Sequence, residues 1–222
     1  MAGVTAGMCS TSSWYPRSQL PMANPLRTFA TSVLADFGST QRYRQKYFGE
    51  KVSLKRLPVD AVRKVGFQML VATRTMRLLR DLKLPVLPMV ASRLIRHLYG
   101  AEIHWNAEVA DGVSIVHGNG LVLSHGAVVG PHCILFQGVT LGESIDPSSR
   151  EVGAPRLEAG VHVGPGAVLI GPIVVGEGSK VMANAVVDRT VPPRSIVRTA
   201  TIEVERRPDR PDAEAVAVAH DG

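Results

Sequence analysis

Four histidines lie between residues 104 and 132, and they are the first candidates for chemistry in this chain: His104, His117, His125 and His132. A neutral imidazole titrates close to neutral pH, so it can accept the proton of a hydroxyl group. Imidazoles are also common zinc ligands. An exposed histidine at a surface corner needs neither role. The element that carries these residues therefore decides how they are interpreted.

An aliphatic residue returns at every sixth position, with two breaks, from Ile103 to Val191. The segment divides into twelve hexapeptides that begin with Ile, Val or Leu, and the fifth residue is small or β-branched in nearly all of them. An α-helix repeats at about 3.6 residues and a strand at 2, so neither explains this period. A parallel β-helix does, because each hexapeptide supplies one short strand and one corner. We therefore predict a parallel β-helix of about four turns with the first-position side chains inside.

Two breaks interrupt the period. Two extra residues stand at Leu121 and Val122, shortly after His117, and a polar loop occupies residues 142–156. Insertions into repeat arrays map to loops, often at the binding face. We expect the substrate to be chosen near these breaks.

The chain divides into four predicted segments. Residues 1–25 form a disordered tail, 26–100 a small α-helical region, 101–197 the β-helix and 198–222 a second tail. The predicted helices cover residues 26–39, 60–82 with Asp60 as a cap, and 89–99 with Gly100 as the stop. The run QRYRQKYFGEK follows the first helix. Its alternation of Tyr and Arg is compatible with RNA binding, and a solvated connector is the commoner origin of such a run.

Composition narrows the function classes. The net charge is +6 and the pI about 9.7, which suits nucleic acid, an anionic surface or a phosphorylated ligand; we favour the last, with no nucleic-acid partner. Cys9 and Cys133 do not suggest a disulfide framework, which is consistent with a reducing, cytoplasmic environment. No apolar run reaches 18 residues, so no membrane insertion is expected.

Several runs resemble the serine acetyltransferases, which move an acetyl group from acetyl-CoA to the hydroxyl of L-serine. They are the EIH sequence that begins at Glu102, the histidine thirteen residues beyond His104, and the QGVTLG sequence that begins at Gln137. The resemblance covers about residues 53–197. It implies a left-handed parallel β-helix, preceded by helices, that assembles as a trimer or as a dimer of trimers.

The resemblance also implies residue roles. His117 corresponds to the general base and Glu102 to the acid that orients it, although the family has Asp at that position. Acetyl-CoA is the implied co-substrate, and no metal is expected. The candidates for acetyl-CoA come from matching positions: Gly142, Pro165, Ala183, Lys180, Arg194 and Arg198. The candidates for the acceptor are His125, on a turn near that of His117, and Gln137.

Several departures put serine itself in doubt as the acceptor. Val116 replaces the family's Asp before the base, Ser124-His125 replaces Gly-Glu, and Gly153-Ala154-Pro155 replaces Arg-His-Pro. The chain also lacks the C-terminal Ile that docks into cysteine synthase, so we expect no complex with that enzyme.

Three alternatives stay open. The first is an O-acetyltransferase for a sugar, a surface polysaccharide or a specialised-metabolite intermediate. The second is a trimeric scaffold without catalysis. The third is a zinc-dependent carbonic anhydrase of the same fold, although the histidine spacing does not reproduce that motif.

Overall fold

Helices precede the β-helix in the computed structural model, which describes residues 24–51, 53–145 and 150–199. Most of the two predicted tails, and Cys9, lie outside these ranges. The helical elements are α1 (Pro25–Phe48), a short 3-10 helix (Leu54–Arg56), α2 (Leu57–Arg63), α3 (Val65–Asp81) and α4 (Val86–Tyr99).

Helix α1 is longer than the sequence predicts. Asn24 caps its start, because the side-chain oxygen accepts the N–H groups of Leu26 and Arg27. The helix passes through Gly38, which was expected to end it, and stops at Gly49 in a left-handed conformation (φ 66°). The run of Tyr and Arg residues is therefore helical, and the predicted connector is wrong.

The predicted helix over 60–82 is two helices, because Lys64 is extended (φ −108°, ψ 101°) and separates α2 from α3. Asp60 does not cap a helix. It is buried and accepts hydrogen bonds from Gln41 (2.6 Å) and Arg44 (3.1 Å), which tie α2 to α1. Helix α4 begins at Val86, three residues before its predicted start. Its stop at Gly100 (φ 58°) is as predicted.

Sixteen short strands follow in the described residues. They are β1 (Glu102–Ile103), β2 (Glu108–Val109), β3 (Ser114–Val116), β4 (Val122–Leu123), β5 (Val128–Val129), β6 (Ile134–Phe136), β7 (Thr140–Gly142), β8 (Ser144–Ile145), β9 (Val152–Gly153), β10 (Arg156–Leu157), β11 (His162–Val163), β12 (Val168–Ile170), β13 (Val174–Val175), β14 (Lys180–Val181), β15 (Val186–Val187) and β16 (Ile196–Val197).

All of these strands except β8 and β9 stack in parallel into the three faces of a prism. Sheet A is β1-β4-β7-β12-β15, sheet B is β2-β5-β10-β13, and sheet C is β3-β6-β11-β14-β16. The predicted left-handed parallel β-helix is confirmed, but it has about five turns rather than four. The additional turn arises because Leu141 occupies a regular position in β7 and because β16 continues the stack beyond Val191.

The predicted inward positions are confirmed. All twelve first-position residues are buried, from Ile103 to Val187, and so are the fifth-position residues except Asn119, which is exposed. Cys133 is one of the latter, and burial raises the pKa of its thiol to about 12. A thiol in this state is a core residue and not a nucleophile.

The first break is displaced from its predicted place. Leu121 is fully buried as a regular core residue, and Val122 lies in β4 opposite Glu102. Since Val116 still pairs with Phe136, the two extra residues lie in the corner 117–120. The second break stands where it was predicted. It contains a hairpin, because β8 and β9 pair antiparallel.

The helices close the open end of the β-helix. Strands of the first turn have no preceding turn, so their outer carbonyls need other donors. Arg74 of α3 donates to the carbonyls of Val109 (2.5 Å) and Ala110 (2.7 Å). Ser92 of α4 donates to the carbonyl of Ile103 (2.5 Å). Side chains of α3 and α4 thus take the place of a missing turn.

Within the described residues, no helix combines the length and apolar character that a membrane crossing requires.

The contact between α3 and β3 depends on Gly66. A Cβ at this position would lie 2.0 Å from the carbonyl oxygen of Ile115. We expect Gly66→Ala to lower the free energy of unfolding by about 1–3 kcal/mol, despite the better helix propensity of Ala. Urea denaturation measures this change.

Gly38→Ala is the matched control, because a Cβ there meets only Arg42 at 3.4 Å. We expect it to raise stability by up to about 1 kcal/mol. Equal effects of the two substitutions would contradict the packing of α3 against β3.

Candidate functional site

Corners of successive turns stack into three edges. The His117 edge follows sheet C, the loop edge follows sheet A and carries residues 142–156, and the third edge follows sheet B. Backbone hydrogen bonds along the His117 edge run from Gly138 to Asn119 (2.8 Å), from Gly166 to Gln137 (2.9 Å) and from Asn184 to Pro165 (2.9 Å). The His117 edge is therefore a continuous column of corner residues.

Five of the predicted site residues lie on the His117 edge. Each one follows a strand of sheet C by one or two residues, in successive turns: His117, Gln137, Pro165, Ala183 and Arg198. The first and last of these residues, His117 and Arg198, are 81 positions apart in the chain, and the stacked turns place all five in one line. Adjacent turns are about 4.8 Å apart, so the line is roughly 19 Å long. This length suits an elongated ligand rather than a compact one.

His117 is an exposed residue in a left-handed backbone conformation (φ 68°). His132, Asn184 and Arg194 share this conformation at other corners, so it belongs to the corner geometry and does not by itself single out His117. Its neighbour Gly118 (φ 77°) has no room for a Cβ, which would lie 2.5 Å from Met69 Sδ of α3. Helix α3 thus supports the corner from behind, while the imidazole points away from the core.

Glu102 does not contact His117 within the protomer. Its carboxylate pairs with Arg96 of α4 at 2.5 Å, and both side chains are about half exposed. The structure records no hydrogen bond or ion pair between Glu102 and the imidazole of His117, although both residues are described. The orienting role of Glu102 therefore stays a prediction.

A second histidine cluster lies on the loop edge. His125 Nδ1 is 3.6 Å from Glu143 Oε1, and the same oxygen accepts the N–H of Gly126 at 2.9 Å. The ring of His104 lies 5.0 Å from that of His125. Burial, together with the nearby His125, lowers the pKa of His104. His104 therefore favours its neutral form.

The other predicted residues are distributed over the prism. Lys180 is exposed on the outer side of sheet C, beside the His117 edge. Gly142 ends β7, where the loop begins. Arg194 lies on the third edge, where its N–H donates to Glu177, so the structure does not bring it to the Pro165 and Ala183 column.

Sequence reasoning missed Glu143. Its only signal was its place as the first residue after the regular QGVTLG run. His125 departs from the family pattern described above, and in the fold it contacts Glu143. Among the described residues no group of three or more His, Cys, Asp or Glu side chains is arranged to hold a metal ion.

Comparisons with known proteins agree with this architecture. Serine acetyltransferase from Synechococcus elongatus is 42% identical over 127 residues, which cover 57% of this chain and 51% of that protein. The serine-bound Neisseria gonorrhoeae serine acetyltransferase structure has a TM-score of 0.67 at 24% identity, and the match covers 78% of this chain and 68% of that one. A serine acetyltransferase complex with CoA has a TM-score of 0.65 at 23% identity, with 77% and 66% covered. No family model matches the chain.

The fold and its three edges define the class of protein: a left-handed parallel β-helix of hexapeptide repeats with an α-helical N-terminal region. Within this class, the relatives confirm the resemblance to the serine acetyltransferases. The chain spans about half the length of the curated relatives it matches.

The exposure and backbone of His117 lead to a prediction about stability. We expect His117→Gly to leave the free energy of unfolding unchanged or raise it by up to about 1 kcal/mol, because Gly relieves the left-handed strain while adding entropy to the unfolded chain. Urea denaturation is the measurement. A loss of more than about 1 kcal/mol would show that the imidazole packs into the fold.

His132→Gly is the matched control, since His132 is also exposed and left-handed (φ 60°) but lies on the third edge. We expect the same small effect on stability from both substitutions.

Proposed function

We propose that the chain is an acetyl-CoA-dependent O-acetyltransferase that acts on the hydroxyl of L-serine or of a related hydroxylated small molecule, with His117 as general base. The observation that carries the proposal is the His117 edge, where one exposed histidine and four other predicted ligand residues share a single column. Relatives that are serine acetyltransferases support the reaction type.

His117 would remove the acceptor's proton. A hydroxyl group is too weak an acid to attack a thioester unaided, and a neutral imidazole can take the proton as the new C–O bond forms. The protonated imidazole can then return that proton to the departing thiolate of CoA. Exposure of His117 at the corner leaves its ring accessible to both reactants.

Acetyl-CoA would lie along the same edge. Gly164 lies against the backbone of the next turn, since a Cβ there would be 2.8 Å from the nitrogen of Ala183. A corner built from Gly164, Pro165 and Ala183 leaves backbone groups close to the surface, where the amides of a pantetheine arm can reach them. Lys180 and Arg198 would supply positive charge toward the phosphates.

The acceptor would be selected by the loop edge. His125 and Glu143 form a contact between two side chains, at the start of the hairpin-bearing loop. A paired carboxylate and imidazole present both a hydrogen-bond acceptor and a donor, which suits a polar acceptor molecule. Since the Arg and His that face serine in the family are absent at residues 153–155, we propose that this pair replaces them.

We further propose a trimer as the working assembly. The thin prism exposes large apolar residues on its faces, Val186 and Ile196 among them. Side-by-side association about a three-fold axis would cover such faces. It would also bring the loop edge of one protomer toward the His117 edge of another.

Thiol release from acetyl-CoA tests the reaction. The acceptor panel should contain L-serine, other hydroxylated amino acids and simple sugars. We expect turnover with at least one acceptor, and a fall of about 10²–10⁴-fold in His117→Ala with an unchanged melting temperature, because a general base contributes in that range. His132→Ala, on the third edge, should retain full activity. Acetyl-CoA binding without any turnover, or full activity in His117→Ala, would contradict the proposal.

The substitution Glu143→Gln tests separately whether the loop edge selects the acceptor. Loss of the carboxylate charge should raise the KM for the acceptor about tenfold, with the KM for acetyl-CoA unchanged, because the pair meets only the acceptor. Glu158→Gln is the matched control, since Glu158 also accepts a backbone N–H (from Glu177, 2.8 Å) but belongs to the third edge. Equal effects of the two substitutions on the KM for the acceptor would show that the loop edge is not part of the acceptor site.

A further inference from the structure

Positive charge concentrates where α1 ends and α2 begins. Residues 42–65 contain eight Lys and Arg side chains and two acids, Glu50 and Asp60. Both acids are engaged within this segment, since Arg44 contacts each of them and Arg56 contacts Glu50 at 2.9 Å. The structure records no ion pair for the other six cations within the described residues, and all six are exposed: Arg42, Lys46, Lys51, Lys55, Arg63 and Lys64.

The contacts of Arg44 hold this surface together. Arg44 is buried, and its guanidinium joins Glu50, which follows α1, to Asp60 of α2. The hydrogen bond from Arg44 lowers the pKa of Glu50, and the charges of Arg44, Arg56 and Lys64 lower it further. Glu50 is therefore ionised, and its charge is matched by these neighbours. The six exposed cations are left to face solvent on a fixed scaffold.

Exposed apolar side chains lie among these cations. Phe48 is the last residue of α1 and Leu54 the first of the 3-10 helix, and Leu54 is 65% exposed. Val59 and Val62 of α2 are exposed as well, the latter at 77%, whereas Asp60 between them is buried. These four apolar side chains and the six exposed cations are called the basic–apolar patch.

A surface of this composition suits an anionic lipid bilayer. The cations attract acidic headgroups, and aliphatic side chains between them can enter the boundary between headgroups and acyl chains. RNA fits less well, because Leu54, Val59 and Val62 offer no ring on which a base can stack. A second copy of the chain also fits poorly, since a two-fold contact through this patch would set like charges opposite each other.

The patch lies at the helical end of the molecule. It belongs to elements that precede the β-helix, whereas Val186 and Ile196, on which the proposed trimer rests, lie in the last turns. In a side-by-side trimer the three copies of the patch would stand at the same end. One flat surface could then meet all three at once, which raises the overall affinity without any new contact.

We propose that the basic–apolar patch binds the surface of an anionic bilayer, with Phe48, Leu54 and Val62 entering the headgroup layer and the exposed cations contacting acidic headgroups. This peripheral contact needs no spanning segment, and it does not depend on the acetyltransferase proposal. It gives part of the net charge of +6 an anionic surface as its partner, in addition to the phosphorylated ligand expected from the sequence.

Co-sedimentation of the full chain with lipid vesicles tests the proposal. One set of vesicles is pure phosphatidylcholine, and the other contains about one third phosphatidylserine. We expect binding to the anionic set alone, and weaker binding as salt rises from about 0.1 M to about 0.5 M, because salt screens exposed charges. Lys55→Glu should weaken this binding about tenfold through its reversed charge, and Leu54→Gln about fivefold through its lost apolar contact.

Two control variants match these substitutions. Lys83→Glu reverses an exposed lysine at the turn between α3 and α4, and Leu94→Gln replaces a leucine of α4 that is 54% exposed. Both should bind anionic vesicles as the unmodified protein does. Equal losses in the patch variants and the control variants would show a general attraction of the net charge and overturn the proposal, as would a failure to sediment with anionic vesicles.

Soluble polyanions test the other possible occupants of the patch. An RNA oligonucleotide and poly-glutamate are titrated in parallel with the vesicles. We expect both to bind more weakly than anionic vesicles, and Leu54→Gln to leave their binding unchanged. If either binds more tightly than the vesicles and Lys55→Glu abolishes that binding, the patch is a site for nucleic acid or for an acidic polypeptide, and the bilayer proposal is wrong.

Discussion

The guanidinium of Arg74 connects the helical region to the first turn of the β-helix, and the rest of the structure depends on this contact. It is almost fully buried and contacts Asp36 of α1 through two nitrogens (2.7 and 3.0 Å) while it donates to two carbonyls of the first turn. Asp36 in turn accepts the N–H of Gly112 at 2.8 Å. Burial raises the pKa of Asp36, and Arg74 and Gly112 oppose that rise. A planar fork with five donors can serve a carboxylate and two carbonyls at once, and a lysine could not.

The contacts of Arg74 and Asp36 also determine the position of the candidate site. Because Arg74 locks α3 onto the first turn, Met69 of the same helix meets Gly118 and supports the corner that carries His117. Asp36 similarly holds α1 against that turn, and the far end of α1 then brings Tyr43 to Phe136. The helical region thus positions residues of the site as well as closing the β-helix. Removing one partner of such a buried pair is costly, about 3–5 kcal/mol, since the other charge stays buried.

The periodic part of the fold was the part that the sequence could predict. A six-residue period identifies which side chain faces inward wherever strand and corner alternate, so the core residues followed from it. The candidates His117, Pro165 and Ala183 came instead from the family resemblance, and the stacked turns place them on one edge. The length of α1 could not be predicted in this way, because Gly38 is a local stop signal. The contacts of Gln41 and Arg44 with Asp60 override that signal. Nor could the pairing of Glu102 with Arg96 be predicted, because it depends on how α4 packs. Glu143 could not be predicted as a site residue, because its partner His125 is far from it in the sequence and becomes a neighbour only when the turns stack.

The hairpin in residues 142–156 has a consequence for how this chain can change over time. Leu141 and Leu157 are sixteen residues apart, where a regular unit would need six, yet both are fully buried, and β10 pairs with β5 and β13 without a shift. The stack therefore absorbs the insertion without a shift, although the ends of the loop still pack on it: Pro155 accepts the N–H of Val128, and a Cβ at Gly153 would lie 2.7 Å from Pro172. Substitutions between those ends change the surface beside His125 and Glu143 more than they change the core, so new acceptors can be explored while the framework is kept.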